Sequence, residues 1–428
     1  MCANSKDSDR EILIDGKLYN VSSFKHPGGS IIKFFYRDNA INCTYPDATT
    51  TWHAFHSRSK RARILLKSLP SRIYEGSPSS SSDSKSSGTI KDQMIEDFHQ
   101  FESELRQEGF FDPSISHVTL RILEIFMLFY IGYHLILANW WIFGALICGI
   151  AQGKCGWLEH EGGHISLTGV IKIDIMIQTI VYGFGDGMSA GYWRNQHNKH
   201  HATPQRLQHD VDLNTLPLVA FNAEIARLVG PLGRWWIKIQ AFIFPTITPL
   251  LVTLGWQLYL HPRYSIRTKR YSELFFMIFR LVVLRFVLGD FSLKSVVYIY
   301  LLSTWFGANY IFLHFSLSHT HKPISQPNIH HNWVRYAADY TTNIDSSWWC
   351  NWLMGYLNFQ IEHHLFPSMP QFRFPEITDR VRELFRKHEL DYDCCSYLTA
   401  FRRTLGNLQD VADTITEVQI ENTPKMRS

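Results

Sequence analysis

The chain has 428 residues, 45% of them hydrophobic and 14% aromatic, yet its mean hydropathy is only −0.12, so the apolar residues must be gathered into segments if it enters a membrane. A net charge of +4, with no Lys/Arg run interleaved with aromatics, excludes a nucleic-acid partner. The seven cysteines show no C-x-x-C pair and suit a reducing compartment, and the polar start MCANSKDSDR lacks the layout of a signal peptide, so the first domain is expected to stay in the cytosol.

From Glu11, EILIDGKLYNVSSFKHPGGSIIKFF reads as two short strands broken at Asp15-Gly16 and followed by a Pro-Gly-Gly turn, a small α+β module over 1–75. HPGG presents His26 in that turn, and DATTTWHAFHSRS later carries His53 and His56. Two histidines from opposite walls of a small pocket could ligate a haem axially, and bis-imidazole ligation leaves no site for oxygen, so such a haem only passes electrons. His56 is the preferred partner of His26, with His53 second. GSPSSSSDSKSSG, Gly76 to Gly88, cannot bury a core and reads as a flexible linker, taken as 76–92, ahead of a second domain over 93–428.

Leu120 to Ala151 is long enough for two membrane passes of ~20 residues in a tight hairpin with its turn near Asn139. Two or three more crossings are expected between Trp235 and Leu317. Pro245, Pro249, Arg280 and Arg285 leave open which of the middle segments span, since a central Arg costs ~2.5–3.5 kcal/mol. About four crossings in all keep the loops on one side. Trp pairs at 140–141, 235–236 and 348–349 sit near segment ends, as an aromatic belt would. Ile171 to Gly187 is apolar but short and reads as an interfacial or buried helix.

WLEHEGGHIS, Trp157 to Ser166, fits H-E-x-x-H, a zinc-protease helix with Glu161 as base, and equally a bare pair of imidazoles, His160 and His164. A catalytic zinc needs three protein ligands, and this chain offers far more. His197, His200 and His201 lie in NQHNKHH; Gln360, His363 and His364 lie in NFQIEHHLF; His209, His314, His319, His321 and the pair His330-His331 are further candidates. Gly162 and Gly163 also weaken a protease helix by ~1 kcal/mol each. Histidines at i, i+3 and i+4 share a helical face, so three clusters flanking apolar segments can converge on one pocket at the membrane surface. Imidazole suits iron among other metals, and about eight nitrogens are enough for two ions in one cavity; two irons can activate dioxygen. Asp210, Asp212 and Glu362 are candidates for fixing the imidazoles from behind.

As they stand, HPGG, HEGGH, HNKHH and QIEHH closely resemble the front-end fatty acid desaturases with a fused N-terminal cytochrome b5 domain, over nearly the whole chain outside the linker. Gln360, in place of the first histidine of the third box, is the most specific feature. The resemblance implies a multi-domain fold: a small α+β cytochrome b5-like haem domain, then an all-α membrane domain of about four transmembrane helices with a cytosolic di-iron cap. It implies that His160, His164, His197, His200, His201, Gln360, His363 and His364 serve two non-haem irons, that His26 and His56 hold haem b, and that a further ligand comes from His319 or His321, with His319 favoured. Electrons would pass from NADH through a separate cytochrome b5 reductase to the haem and on to the irons, where O2 is reduced and a cis double bond is made between the carboxyl group and an existing double bond. The substrate would be a polyunsaturated acyl-CoA or a phospholipid acyl chain, and the place the endoplasmic reticulum membrane. HDVDLNTLPLVAF and YLHPRYSIRTKR are similar to Δ5/Δ6 desaturases of marine protists, the first especially to the Δ5 type. Δ5 is therefore expected, with Δ6 or Δ8 fatty acyl desaturation and sphingolipid long-chain-base desaturation as alternatives. A fatty acid hydroxylase and a membrane electron carrier with inert histidines are the further rivals.

Overall fold

The structure, a computed structural model, describes residues 10–36, 46–74, 85–210, 212–213, 215–327 and 329–421, with the side chains of all but 85–92 and 416–421. Asp15 and Gly16 both take positive φ, 49° and 68°, as a two-residue hairpin turn matched to strand twist requires. They close β1 (Glu11–Ile14) onto β2 (Lys17–Asn20), and β3 (Ser71–Ile73) pairs with the other edge of β2. The 3-10 helix Gly29–Phe35, α1 (Thr49–His56) and α2 (Lys60–Ser68) complete the module around Ile12, Ile14, Tyr19, Val21 and Ala48.

Helix α3 (Lys85–Gln107) begins inside the stretch assigned to the linker, so 85–92 is already helical; 76–84 falls outside the described residues. Met94, Phe98, Phe101 and Leu105 recur at helical spacing and bury against residues 333–385, which gives this helix the tertiary support that the composition of its first turns does not suggest. Cys2 and Cys43 also fall outside the described residues, and Cys148, Cys155, Cys350, Cys394 and Cys395 are free thiols.

Helices α4 (Ile115–Leu137) and α5 (Trp141–Gly163) form the expected hairpin, turning at Asn139, whose φ is 64°. Together with the helix Leu293–Ser316, they are the three helices among the described residues that are long and apolar enough to cross a membrane. The helix Tyr271–Val287 has 17 residues, about 25 Å at 1.5 Å per residue, and makes a second hairpin with Leu293–Ser316. Trp235 to Leu260 does not run as one crossing. It breaks into Pro231–Lys238, Gln240–Ile243 and Thr248–Gly255; Pro245, which lacks the amide a continuous helix needs, lies in the second break, and Pro249 falls in the first turn of the last helix. Arg280 turns inward, 8% exposed, with its guanidinium 5.2 Å from the Tyr300 ring centre, so its charge avoids the lipid side.

The two hairpin turns lie at one end, where Ile136, Trp141, Leu288 and Phe291 pack together. The other end carries the cap. There α6 (Ile171–Ile180) buries Asp174 and Gln178 while exposing Ile173, Met176 and Ile180, the pattern of a helix lying at the membrane interface. A π-helical turn, Val181–Asp186, leads on to α7 (Ala190–Ala202).

Candidate metal centre

Each histidine cluster is carried by an anchored helix. The last turn of α5 presents His160 and His164. Helix α7 presents His197, His200 and His201; its first turn is capped by Ser189, whose Oγ accepts from Tyr192 N at 3.0 Å, and Glu273 accepts from Gly191 N at 3.0 Å. The helix Gln360–Leu365 presents Gln360, His363 and His364 and is tied down where Asn343 Oδ1 accepts from Ile361 N at 2.8 Å. Gly163, read from sequence as a weakness in a protease helix, has a packing reason: a Cβ there would lie 2.1 Å from the Trp193 ring. The absence of a side chain lets α7 rest directly on the end of α5.

The side chains form two adjoining groups. His160, His164, His197, His201 and His363 bring one ring nitrogen each within 4.8 Å of one another, and His200, His319 and His364 do the same. The groups share a wall, with the His201 and His364 rings stacked at 4.2 Å. Gln360 borders the second group; its Oε1 lies 3.1 Å from His319 Nε2 while its amide donates to Leu357 O at 2.9 Å. His164 Nε2, His201 Nδ1, His363 Nδ1 and Nε2, and His364 Nε2 are buried without a hydrogen-bond partner. An unsatisfied buried polar atom costs ~1–3 kcal/mol, so converging lone pairs of this kind fit metal ions. Burial first, and neighbouring imidazoles second, hold His197, His201, His363 and His364 well below the usual histidine range, in the neutral form that can ligate.

The three acids divide. His200 Nδ1 donates to Asp210 Oδ2 at 2.9 Å, with Asp212 Oδ2 at 3.5 Å, which leaves Nε2 for the second group. Burial alone would lower His200, but the two carboxylates outweigh it and push it up to about 9. Glu362 touches no imidazole: it accepts from Asn343 Nδ2 at 2.7 Å and Tyr392 OH at 2.6 Å and so braces the helix instead. Three contacts were missed from sequence. Gln371 Nε2 bonds His160 Nδ1 at 2.7 Å, His319 Nδ1 bonds Tyr340 O at 3.0 Å, and Trp193 stacks on His197 at 4.2 Å. Trp193 lies one helical turn before His197 and could have been found by spacing; the other two carry no local signal. Glu161 accepts from Gln371 N at 3.0 Å, a structural task rather than that of a protease base.

A cavity of about 250 Å³ opens from these groups into the bundle, lined by His160, His197 and His319 at one end and by Gln152, Trp256 and Gly307 further in. His209, His314 and His321 lie outside both groups, bonded to Leu207 O at 3.1 Å, Tyr397 OH at 3.0 Å and Thr342 Oγ1 at 3.1 Å. His330 and His331 are likewise apart, against Arg206 and Tyr340. In the N-terminal module, the His26 and His56 rings face each other at 6.1 Å, whereas His53 points away to Asp15 at 3.0 Å. Burial lowers His26 and takes His56 to about 4, again favouring neutral rings.

Residues 138–396 match the profile of the family described as fatty acid desaturase. The chain is 48% identical over 407 residues to an acyl-lipid (8-3)-desaturase of Rebecca salina, covering 94% of this chain and 92% of that one. It is 46% identical over 417 residues to the protein of the same name from Thraustochytrium sp, covering 96% and 94%. A delta(5) fatty acid desaturase, fat-4, of Caenorhabditis elegans is 28% identical over 465 residues, covering 94% and 95%. The chain belongs to the fatty acid desaturase family and is, as such, an oxidoreductase acting on fatty acids.

Proposed function

We propose that this protein is a front-end acyl-lipid desaturase, inserting a cis double bond between the carboxyl group and an existing double bond of a lipid-borne acyl chain. The observation that carries this is the pair of adjoining histidine groups at the mouth of a cavity running into an apolar bundle. His160, His164, His197, His201 and His363 would hold one iron, and His200, His319 and His364 the other, with Gln360 beside it. When bound, the iron pair supplies the reduction of O2 and the oxidising power to remove hydrogen from two adjacent methylenes. The chain's own part is positional. Asp210 keeps the proton of His200 on Nδ1, Gln371 orients His160, and the indoles of Trp157 and Trp193 line the cavity and keep water from the reacting carbons.

Residues 1–75 are read as a cytochrome b5-like module with haem b between His26 and His56, fed from NADH by a cytochrome b5 reductase. The apolar hairpins would sit in the endoplasmic reticulum membrane with the cap in the cytosol. The Δ5 position expected from the sequence is the one in the nematode relative's name, whereas the two relatives of higher identity carry the numbers 8 and 3. A double bond at position 8 therefore enters the reaction we put first, ahead of Δ5 without it and of Δ6. Yeast expressing the chain and fed eicosadienoic acid gains a bond at 8 if that is where the bond is made. Fed dihomo-γ-linolenic acid, already unsaturated at 8, it gains one three carbons nearer the carboxyl group if 8 is the reference point. Linoleic and α-linolenic acids complete the set. Gas chromatography showing no new double bond with any of the four, an added hydroxyl instead, or unsaturation confined to sphingolipid bases would overturn the proposal. His364→Ala should abolish every conversion.

A further inference from the structure

We propose that the N-terminal module is docked in one fixed orientation on the cap, latched by Arg58, and is not held by its Ser-rich tether alone. The proposal takes its meaning from the reading of this module as a haem domain but stands on contacts of its own. Arg58, in the turn between α1 and α2, leaves its module altogether: its Nη2 donates to Phe111 O at 2.6 Å and to Ser368 O at 3.4 Å. A Cβ on Gly169 would lie 2.4 Å from its Nη1, so three separate segments of the second domain enclose the guanidinium. Both carbonyls are reached from the one Nη2, and a planar guanidinium enclosed in this way is fixed in direction as well as position.

The apolar side of α1 reinforces the latch. Ala54 and Phe55 pack into the core built by α3 and residues 333–385, with the Phe55 ring edge-on to Trp333 at 6.1 Å, and Thr50 Oγ1 meets His99 Nε2 at 3.1 Å. A second set of contacts lies at the HPGG turn, where Asn195 Nδ2 donates to Gly28 O at 3.3 Å and Phe34 packs edge-on to His209 at 4.5 Å. Two contact regions fix a relative orientation, which a single tether cannot. Gly28 N also donates to His26 Nδ1 at 3.1 Å, so the single residue Gly28 bonds both the His26 ring and Asn195, two residues before His197. The dock thus puts the His26 side of the module against the helix that carries the middle histidine cluster.

The test uses the full chain, purified in detergent, with a site-specific protease sequence inserted within 76–84. After cutting, the N-terminal fragment of the wild type should co-elute with the rest of the chain on size exclusion. Arg58→Ala should release it, with at least a tenfold weaker association, and Arg58→Lys, which keeps the charge but loses the planar guanidinium, should fall between. Release from the cut wild type, or retention by Arg58→Ala equal to wild type, overturns the proposal. Should Arg58→Ala fail to fold, Asn195→Ala takes its place with the same two outcomes. Haem absorbance is read separately: a retained fragment without haem defeats the haem reading and leaves the dock standing, and a released fragment with haem does the reverse.

Discussion

Asp210 and Glu362 are both buried acids beside histidine clusters, and only their hydrogen-bond partners tell them apart. Asp210 bonds the far nitrogen of His200, so Asp210→Asn should weaken iron binding by ~10–100-fold, as loss of a ligand's orienting partner does. Glu362→Gln should leave iron affinity within a few-fold and lower thermal stability instead, because its partners are Asn343 and Tyr392. Iron per chain, measured after dialysis against graded chelator, separates the two; equal iron loss in both variants would refute the division. The histidines themselves were legible because helical spacing puts i, i+3 and i+4 on one face. Gln371 was not, because its bond to His160 spans 211 residues of sequence and no local pattern encodes it.

At the scale of elements, what the sequence displayed best was local chemistry: the Asp15-Gly16 turn, the Asn139 hairpin and the flanking apolar runs. What it hid was interruption and close approach. Trp235 to Leu260 has the composition of a crossing, but it is divided at Ile239 and again around Pro245, and α3 starts inside a Ser-rich stretch because later residues anchor it. The crossing of α5 with Leu293–Ser316 depends on glycines whose purpose only packing reveals. A Cβ on Gly153 would lie 1.7 Å from Tyr310 Cδ1, and one on Gly149 would lie 2.5 Å from Phe306 Cβ. Because His160 and His164 lie at the end of α5 and His319 just beyond the end of Leu293–Ser316, forcing these helices apart disturbs the site as well as the bundle. Gly153→Val is expected to destabilise by ~1–3 kcal/mol or more, the cost of overpacking. A thermal midpoint in detergent unchanged from wild type would show that the crossing yields more easily than the contact implies.

Over the whole molecule, the two hairpins turn at one end and deliver α5, α7, His319 and the helix Gln360–Leu365 to the other, so four segments far apart in sequence meet at one place. The sequence showed the ingredients of that meeting and its membrane spacing. It did not show that the groups divide five and three, because ring direction is set by long-range packing. Five ring nitrogens in the two groups have no hydrogen-bond partner, so on the proposed reading metal would satisfy them and help to hold the cap together. A ligand that binds only the folded state stabilises it by RT ln(1 + [L]/Kd), ~4 kcal/mol at a thousandfold excess over Kd. Stripping iron by chelation should therefore lower the thermal midpoint of the full chain by several degrees, and restoring iron should recover it. In His363→Ala the gap between the metal-loaded and stripped forms should shrink, because this ring faces the first group with both nitrogens unpaired. Identical midpoints for the loaded and stripped wild type would mean that the cap is held by its apolar core alone, and that the buried imidazoles are satisfied by something other than a metal.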